Sequence, residues 1–373
     1  MRIVYCIAGL YRPAGMERIL VQKSAWLAAR GHEVHILTTE QKGRPYAFEP
    51  GPGVQVRDLG IGYEDNNGGS FADKLIHYPS KQRRHLKALG EALAEIRPDV
   101  TISMFCNEVN LLPRLRDGSR KVLEVHFSRF KRLQYGRKGL WALADRYLSR
   151  KDLRTVKRYE RFVVLTREDS AYWGNLPNLR IIPNFVTARA ESPAPLESRT
   201  VIAVGRYSHQ KGLDRLIDAW AHIGGTGGWK LLLVGEGELR DSLQHRIREL
   251  GVEDSVQLTG AAADMDTVYR NASVLALSSR YEGLPMVLLE AQAHGLPAVA
   301  FTCPCGPRDV LEDGVDGRLV EDGDIEGFAA ALRQLMEDEA LRKEMGAAAW
   351  RRSERWDMET TMNQWESLLQ ELS

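Results

Sequence analysis

Two acidic residues, Glu282 and Glu290, are separated by seven residues that begin with a Gly-Leu-Pro turn. The apolar run Val274 to Leu277 before them predicts a buried parallel strand, and Pro285 suits the first turn of the helix that follows. The free N–H groups at the start of such a helix favour an anionic group, most often a phosphate. Glu290, further along that helix, can accept hydrogen bonds from a diol such as a ribose. The segment therefore predicts a nucleotide site.

A pair of basic residues forms the second candidate group. Arg206 and Lys211 lie in the segment Gly205-Arg206-Tyr207-Ser208-His209-Gln210-Lys211-Gly212, directly after the predicted strand Val201 to Val204. Open α/β sheets bind ligands at the carboxyl ends of their strands, and two fixed positive charges there suit a diphosphate. The loop alone is equally compatible with a solvated turn. Together with the two-glutamate segment, it favours a phosphate site.

Two glycine-bearing loops carry weaker signals. Gly235-Glu236-Gly237 closes the predicted strand Leu231 to Val234, but the third glycine of the dinucleotide fingerprint is missing. This loop therefore predicts close backbone approach to a ligand rather than NAD binding. Gly15 lies in the loop Gly9 to Arg18, which follows the predicted strand Ile3 to Ile7. That loop could cover phosphates or an acceptor, or be a plain strand-to-helix turn.

His126 is a candidate because it follows the predicted strand Val122 to Val125 at the same edge of a sheet. A neutral imidazole there could hydrogen-bond a sugar hydroxyl or stabilise developing charge. A lone histidine is more often structural, so its place at the carboxyl edge is the argument for a function.

Two other motifs resemble metal or redox sites but are interpreted differently. Asp264-Met265-Asp266 precedes Val268 and Tyr269 at helical spacing, which favours acids that cap a helix over an Asp-x-Asp metal motif. Cys303-Pro304-Cys305 has no second Cys or His cluster with ligand spacing nearby, so it predicts a loop. We therefore expect no bound metal and no cofactor.

The chain has 373 residues, which is long enough for two domains that each bury a core. Its net charge of +1 gives no general reason to expect a nucleic-acid partner. Its four scattered cysteines suit a reducing compartment. No apolar run approaches the ~18 residues that span a bilayer, and Ile3 to Ala8 predicts a strand rather than a signal peptide. These features predict a cytoplasmic protein.

Short β-branched runs alternate with helix-like stretches and predict two doubly wound, parallel-sheet α/β domains. The further predicted strands are Val34 to Thr39, Val100 to Met104, Phe162 to Thr166, Arg180 to Ile182, Val256 to Leu258 and Ala298 to Phe301. A polar stretch with two prolines, 189–198, predicts a linker. The predicted domains are residues 1–188 and 189–355. The amphipathic segment 356–373 is expected to pack back on the first domain rather than on the second.

Residues 128–162 carry an excess of positive charge, with aromatic and leucine residues between the charges. Such a surface suits an anionic membrane face or a lipid-linked pyrophosphate acceptor. A solvated helix with its apolar side in the core explains the pattern equally well. RNA is a weaker alternative because the segment has no RNA-binding motif.

Taken together, these residues resemble the retaining glycosyltransferases of family four, which have the GT-B fold of two Rossmann-like domains facing a central cleft. The resemblance covers most of the chain. It is most specific in the second domain, where the family's Gly-Arg-x-x-x-x-Lys-Gly appears as residues 205–212 and its Glu-x-seven-Glu as residues 282–290. In the first domain, Ala14-Gly15-Met16-Glu17 stands where the family often has Gly-Gly before a glutamate.

The resemblance implies that a hexose or N-acetylhexosamine is transferred, with retention, from a nucleotide diphosphate sugar, for which we favour a UDP-sugar. Arg206 and Lys211 would hold the diphosphate, and Glu290 would bind the ribose. Glu282 and His126 would lie near the donor sugar. The remaining implied donor contacts are Gly15, Gly205, Gly237, Gly283, Leu284, Pro285, Met286 and Val287. A lipid-linked glycan acceptor, used in polysaccharide or lipopolysaccharide assembly at the inner face of the cell membrane, fits the same resemblance.

Two alternative functions stay open at this point. A sugar-nucleotide epimerase of similar fold would use the same phosphate contacts but would form product without an acceptor. A catalytically silent partner subunit would bind the nucleotide only, although the intact Arg206, Lys211, Glu282 and Glu290 argue against it.

Overall fold

The computed structural model describes residues 1–66, 71–131, 140–187 and 189–373. The chain divides into two compact units. Unit 1 contains Met1–Leu165, Ser170–Ile182 and Thr361–Ser373, and unit 2 contains Thr166–Asp169 and Pro183–Thr360.

Unit 1 is built on a parallel sheet in which seven strands of the described chain follow the order β3-β2-β1-β4-β5-β6-β7. The chain runs away from β1 towards β2 on one side and from β4 towards β5 on the other. Its elements are β1 (Arg2–Ile7), α1 (Gly15–Ala29), β2 (Glu33–Thr38), β3 (Val54–Asp58), α2 (Phe71–Ile96), β4 (Val100–Ser103), β5 (Arg120–Glu124), α3 (Leu140–Val156), β6 (Arg161–Val164), α4 (Arg167–Trp173) and β7 (Leu179–Ile181).

Unit 2 repeats this architecture with six described strands in the order β10-β9-β8-β11-β12-β13. Its elements are β8 (Thr200–Val204), α5 (Leu213–Ile223), β9 (Lys230–Val234), α6 (Arg240–Glu249), β10 (Val256–Gly260), α7 (Met265–Arg270), β11 (Val274–Leu277), α8 (Met286–Ala293), β12 (Ala298–Phe301), α9 (Pro307–Val310), β13 (Gly317–Val320), α10 (Ile325–Glu337) and α11 (Glu339–Arg352). The last helix, α12 (Met358–Gln370), is divided between the two units.

The central strands form because helices cover both faces of each sheet, which makes continuous apolar runs favourable. All residues of β11 and β12 are buried, and all strand pairings in unit 2 are parallel. The predicted fold class, two Rossmann-like parallel-sheet domains, is confirmed. Every predicted strand coincides with an observed one, with ends that differ by up to three residues.

Two strands, β3 and β13, are absent from the sequence prediction. Each is the outermost strand of its sheet, and each has polar or half-exposed residues among its four or five positions. An edge strand is less buried, so it lacks the apolar run by which the central strands were found.

The expected linker lies wholly within one unit, and the final helix is divided between the two units. Residues 189–198, expected as a linker, belong to unit 2, where Ala194 and Leu196 are buried. The final helix, α12, begins at Met358 in unit 2 and continues from Thr361 as part of unit 1.

Candidate functional site

The candidate site in unit 2 lies where the direction of the sheet's connections reverses. Strands β8 and β11 are neighbours, but β8 leads towards β9 on one side and β11 leads towards β12 on the other. Loops that leave two such strands diverge and form a crevice at their carboxyl ends, which is where open α/β sheets bind ligands. The Arg206–Lys211 loop follows β8, and the Glu282 segment follows β11. The topology thus brings the two strongest sequence candidates to one edge.

Direct contacts hold these two loops against each other. The Ser278 hydroxyl donates to the carbonyl oxygen of Lys211 at 3.0 Å, and the Arg280 amide donates to that of Gln210 at 2.8 Å. Gly212 is required at this junction because its φ is 59° and a Cβ atom would lie 2.3 Å from the Ser278 carbonyl oxygen. The two loops therefore form one structure rather than two independent turns.

An ion pair joins the basic loop to the acidic segment. Lys211 Nζ lies 2.7 Å from Glu282 Oε1, and the Ser279 hydroxyl donates to the same oxygen at 2.6 Å. The Glu282 side chain is only 7% exposed, whereas that of Lys211 is 20% exposed. The Lys211 ammonium therefore lies at the boundary between the carboxylate and solvent, where it can also contact an anionic ligand.

Arg206 is exposed, and no described residue forms a hydrogen bond or ion pair with its side chain. An arginine at the carboxyl end of a central strand can bind a phosphate through bidentate hydrogen bonds when its guanidinium has no other partner. Among the described residues, this short loop thus contains one cation with an ionic partner, Lys211, and one without, Arg206.

Helix α8 begins at Met286, so Pro285 occupies the N-cap position rather than the first turn. Within the described chain, the amides of Gly283, Leu284, Met286 and Val287 donate to no backbone carbonyl. Free amides at a helix start carry partial positive charge and favour an anion. Glu290, on the same helix, is half-buried and accepts a 2.6 Å hydrogen bond from the Tyr269 hydroxyl.

The two glycines after β9, Gly235 and Gly237, have a structural explanation. A Cβ atom on Gly235 would lie 2.0 Å from the carbonyl oxygen of Gly205, and one on Gly237 would lie 2.4 Å from that of Tyr207. The close approach predicted for this loop is therefore made to the neighbouring loop's backbone. It lets the chain after β9 pack directly beside the Arg206 loop.

The remaining candidates, Gly15 and His126, belong to unit 1. Gly15 is the exposed first residue of α1, and Ala14 is the N-cap residue. His126 follows β5 by two residues, and its Nε2 lies 2.9 Å from Glu124 Oε1. The His126 side chain is 6% exposed, so the ring is largely buried.

Behind His126 lies a buried ion pair that sequence reasoning missed. Lys23 Nζ is 2.6 Å from Glu124 Oε2, and both side chains are 1% exposed. Burial alone raises the pKa of Glu124, but Lys23 and His126 together lower it to about 2. Glu124 therefore stays ionised at neutral pH, and its contribution to stability is lost only as the pH falls below about 4.5 towards 2.

The motifs interpreted as structural behave as expected. Asp264 is the N-cap residue of α7, and its side chain accepts from the Thr267 amide at 3.2 Å. Within the described chain, Cys303 and Cys305 form no disulfide, and both are buried in the loop after β12. In the part of the chain that the structure describes, no group of three or more His, Cys, Asp or Glu side chains could hold a metal ion.

Two family models together match most of the chain. A family model described as "Glycosyl transferase 4-like domain" matches residues 14–184, and one described as "Glycosyl transferases group 1" matches residues 185–352. The chain belongs to this family of glycosyltransferases. The predicted resemblance to GT-B glycosyltransferases is therefore confirmed.

Among curated relatives, this glycosyltransferase is similar to the amylovoran biosynthesis glycosyltransferase AmsD of Erwinia amylovora. The two are 36% identical over 56% of this chain and 62% of that protein, so the match spans less than two thirds of the relative. A Campylobacter jejuni alpha-1,4-N-acetyl-D-galactosaminyltransferase, named for a PP-undecaprenol-linked substrate, is 26% identical over 100% of this chain and 99% of its own length.

Among solved structures, HepE of Anabaena in complex with UDP and glucose superposes on this glycosyltransferase with a TM-score of 0.77. The sequence identity is 17%, and the match covers 100% of both chains. At that identity the likeness supports the fold alone.

Proposed function

We propose that this protein transfers a hexose or N-acetylhexosamine from a UDP-sugar to a lipid-linked glycan, with retention, in the assembly of a cell-surface polysaccharide or lipopolysaccharide. The observation that carries the proposal is the Lys211–Glu282 pair, which joins the loop of Arg206 to the segment that leads into α8. Among the described residues, none forms a hydrogen bond or ion pair with the exposed Arg206 side chain. The names of the relatives support the same class of reaction.

The charges of the group suit a nucleoside diphosphate. Arg206, Lys211 and the free amides of α8 provide positive charge for the two phosphates. Glu290 provides an acceptor for the two ribose hydroxyls, on the same helix whose first turn would face the phosphates. Glu282, paired with Lys211, would accept a hydrogen bond from a hydroxyl of the donor sugar.

The reaction follows from these charges. The bond between the anomeric carbon and the diphosphate oxygen breaks, and its electron pair stays on the diphosphate. Arg206, Lys211 and the α8 amides stabilise the negative charge that grows there. The acceptor hydroxyl oxygen forms the new bond on the same face of the sugar, which gives retention, and its proton passes to the departing diphosphate.

The first test is nucleotide binding. We expect UDP to raise the melting temperature of the purified protein more than GDP, ADP or NAD do, since a ligand that binds only the folded state stabilises it. Arg206→Ala should remove most of that shift. Arg199→Ala is the matched control, because Arg199 precedes the amino end of β8 and its side chain donates to the Gly227 carbonyl.

The outcomes separate the alternatives. If only GDP or ADP raises the melting temperature, the donor is a sugar conjugate of that nucleotide rather than of UDP. If only NAD raises it, the proposal is overturned. With a UDP-sugar and no acceptor, formation of an isomeric UDP-sugar would identify an epimerase. If the protein binds UDP but transfers sugar to no acceptor, including lipid-linked glycans in a membrane extract, it is a silent nucleotide-binding subunit.

The proposed acceptor would be carried by a membrane, and helix α3 supports this part of the proposal. Leu143 and Tyr147 are 60% and 66% exposed, and they lie among the exposed residues Arg146, Arg150 and Arg154. Positions three and four apart share one face of a helix, so this face combines apolar and basic groups. Residues 132–139 of the predicted basic segment lie outside the described residues. The helices of the described ranges are too short or too polar to cross a bilayer.

Vesicle binding tests this face. Arg146→Gln with Arg150→Gln should weaken binding to vesicles rich in anionic lipid about 30-fold, because each basic residue near the surface contributes about 1 kcal/mol. Arg248→Gln with Arg351→Gln removes the same charge from exposed positions in unit 2 and should have little effect. Equal binding by both double variants would count against contact through α3.

A further inference from the structure

Glu290 is held by two aromatic residues that have no assigned role. Tyr269, at the end of the short helix α7, is 1% exposed, and its hydroxyl donates to Glu290 Oε2 at 2.6 Å. His294, which follows α8, stacks on Tyr269 with ring centroids 4.9 Å apart and an interplanar angle of 26°. The Tyr269 ring is therefore fixed on one side by an aromatic neighbour and at its tip by the carboxylate.

Both ring nitrogens of His294 face acceptors. Nδ1 lies 2.7 Å from the backbone carbonyl oxygen of Glu290, and Nε2 lies 3.0 Å from Asp266 Oδ1. Asp266 also accepts from Arg270 Nε at 2.7 Å. These bonds tie α7 to the end of α8, so the donor hydroxyl and the carboxylate that accepts from it belong to one connected structure.

We propose that Tyr269, supported by the His294 stack, is a positioning residue that sets the orientation of the Glu290 carboxylate for a ribose diol. This inference rests on the proposed function, in which Glu290 accepts from the ribose. A carboxylate has room for about four hydrogen bonds, so the bond from Tyr269 fixes its rotation and still leaves capacity for two hydroxyl groups. A carboxylate fixed in advance loses less side-chain entropy when the nucleotide binds.

Removing the hydroxyl alone gives a clean test. Tyr269→Phe keeps the ring and its stack on His294 but deletes the donor to Glu290. Hydrogen bonds to charged groups are among the stronger ones, so we expect UDP to bind about tenfold more weakly by calorimetry. The affinity for 2′,3′-dideoxy-UDP should stay unchanged, since that nucleotide lacks the hydroxyl groups that Glu290 would bind.

Tyr159→Phe is the matched control. Tyr159 is a buried tyrosine of unit 1 whose hydroxyl donates to the Val109 carbonyl at 2.8 Å. The Tyr159→Phe variant also loses a buried tyrosine hydroxyl, here one that donates to a neutral carbonyl, and we expect neither nucleotide to bind more weakly. If GDP or ADP proves to be the bound nucleotide, its ribo and dideoxy forms replace those of UDP.

Each other result has a distinct meaning. An equal loss for UDP and the dideoxy form would show a general structural role and overturn the inference. No loss for either nucleotide would overturn it as well, while leaving nucleotide binding intact. If the wild-type protein binds no nucleoside diphosphate, the proposed function itself fails, and the inference fails with it.

Discussion

We expect Lys211→Ala to lower the turnover of the proposed sugar transfer by about 100-fold to 1000-fold, which is the usual cost of removing one group that stabilises charge in a transition state. The reason is that negative charge on the diphosphate grows as the sugar leaves, so the ammonium contributes more in the transition state than in the bound ground state. The affinity for the UDP-sugar should therefore fall less than the turnover. Steady-state transfer assays with a labelled donor, combined with calorimetric binding, measure both quantities.

The matched control is Lys230→Ala, because Lys230 opens β9 and lies at the amino end of the same sheet. Its variant should transfer sugar at the wild-type rate. Removing Lys211 also leaves the buried carboxylate of Glu282 with the Ser279 hydroxyl as a partner. The melting temperature of each variant must therefore be compared, so that unfolding is not mistaken for lost catalysis. A folded Lys211→Ala enzyme with a wild-type rate would remove this residue from the mechanism.

Much of the fold could be predicted because central parallel strands are buried on both faces. The run Val274 to Leu277 is predicted and observed with the same ends. The edge strand β13, by contrast, contains a glycine and an arginine and is half-exposed at its centre. Its pairing with β12 depends on tertiary contacts that leave no apolar run in the sequence.

For the candidate site, the sequence predicts the residues but not their arrangement in space. Arg206, Lys211, Glu282 and Glu290 could be found because each follows a recognisable strand or lies on a helix with a set spacing. Their arrangement could not, since the 2.7 Å contact between Lys211 and Glu282 joins residues 71 positions apart. The Tyr269 hydroxyl was missed for a related reason. A tyrosine at helical spacing predicts core packing, and nothing in the sequence indicates that its hydroxyl reaches Glu290.

The buried pair Lys23–Glu124 carries the largest expected effect on stability. Glu124→Gln leaves the Lys23 ammonium without a countercharge at a site that is 1% exposed, which costs about 3–5 kcal/mol. A loss of about 3 kcal/mol speeds the exchange of the slowest amides of β1 and β5 by roughly 100-fold. Hydrogen–deuterium exchange with mass spectrometry resolves this effect by peptide, and the strands of unit 2 serve as the internal reference.

Glu95→Gln is the matched control, because Glu95 pairs with Arg57 at 2.7 Å in the same unit but is 70% exposed. Removing such a surface pair changes stability by less than about 1 kcal/mol. Equal exchange in the two single variants would mean that the buried pair contributes no more than an exposed one.

The loss of stability could come from an unpaired buried charge or from altered packing around Trp365. The double variant Lys23→Met with Glu124→Gln distinguishes these two causes. Lys23 Nζ lies 3.4 Å from the centre of the Trp365 ring, in the part of α12 that belongs to unit 1, so a methionine finds an apolar neighbour there. With both charges gone, no buried charge is left without a partner, and exchange should slow again to within about tenfold of the wild type. If the double variant is as unstable as the sum of Lys23→Met and Glu124→Gln, each measured alone, the loss reflects packing around Trp365 rather than charge.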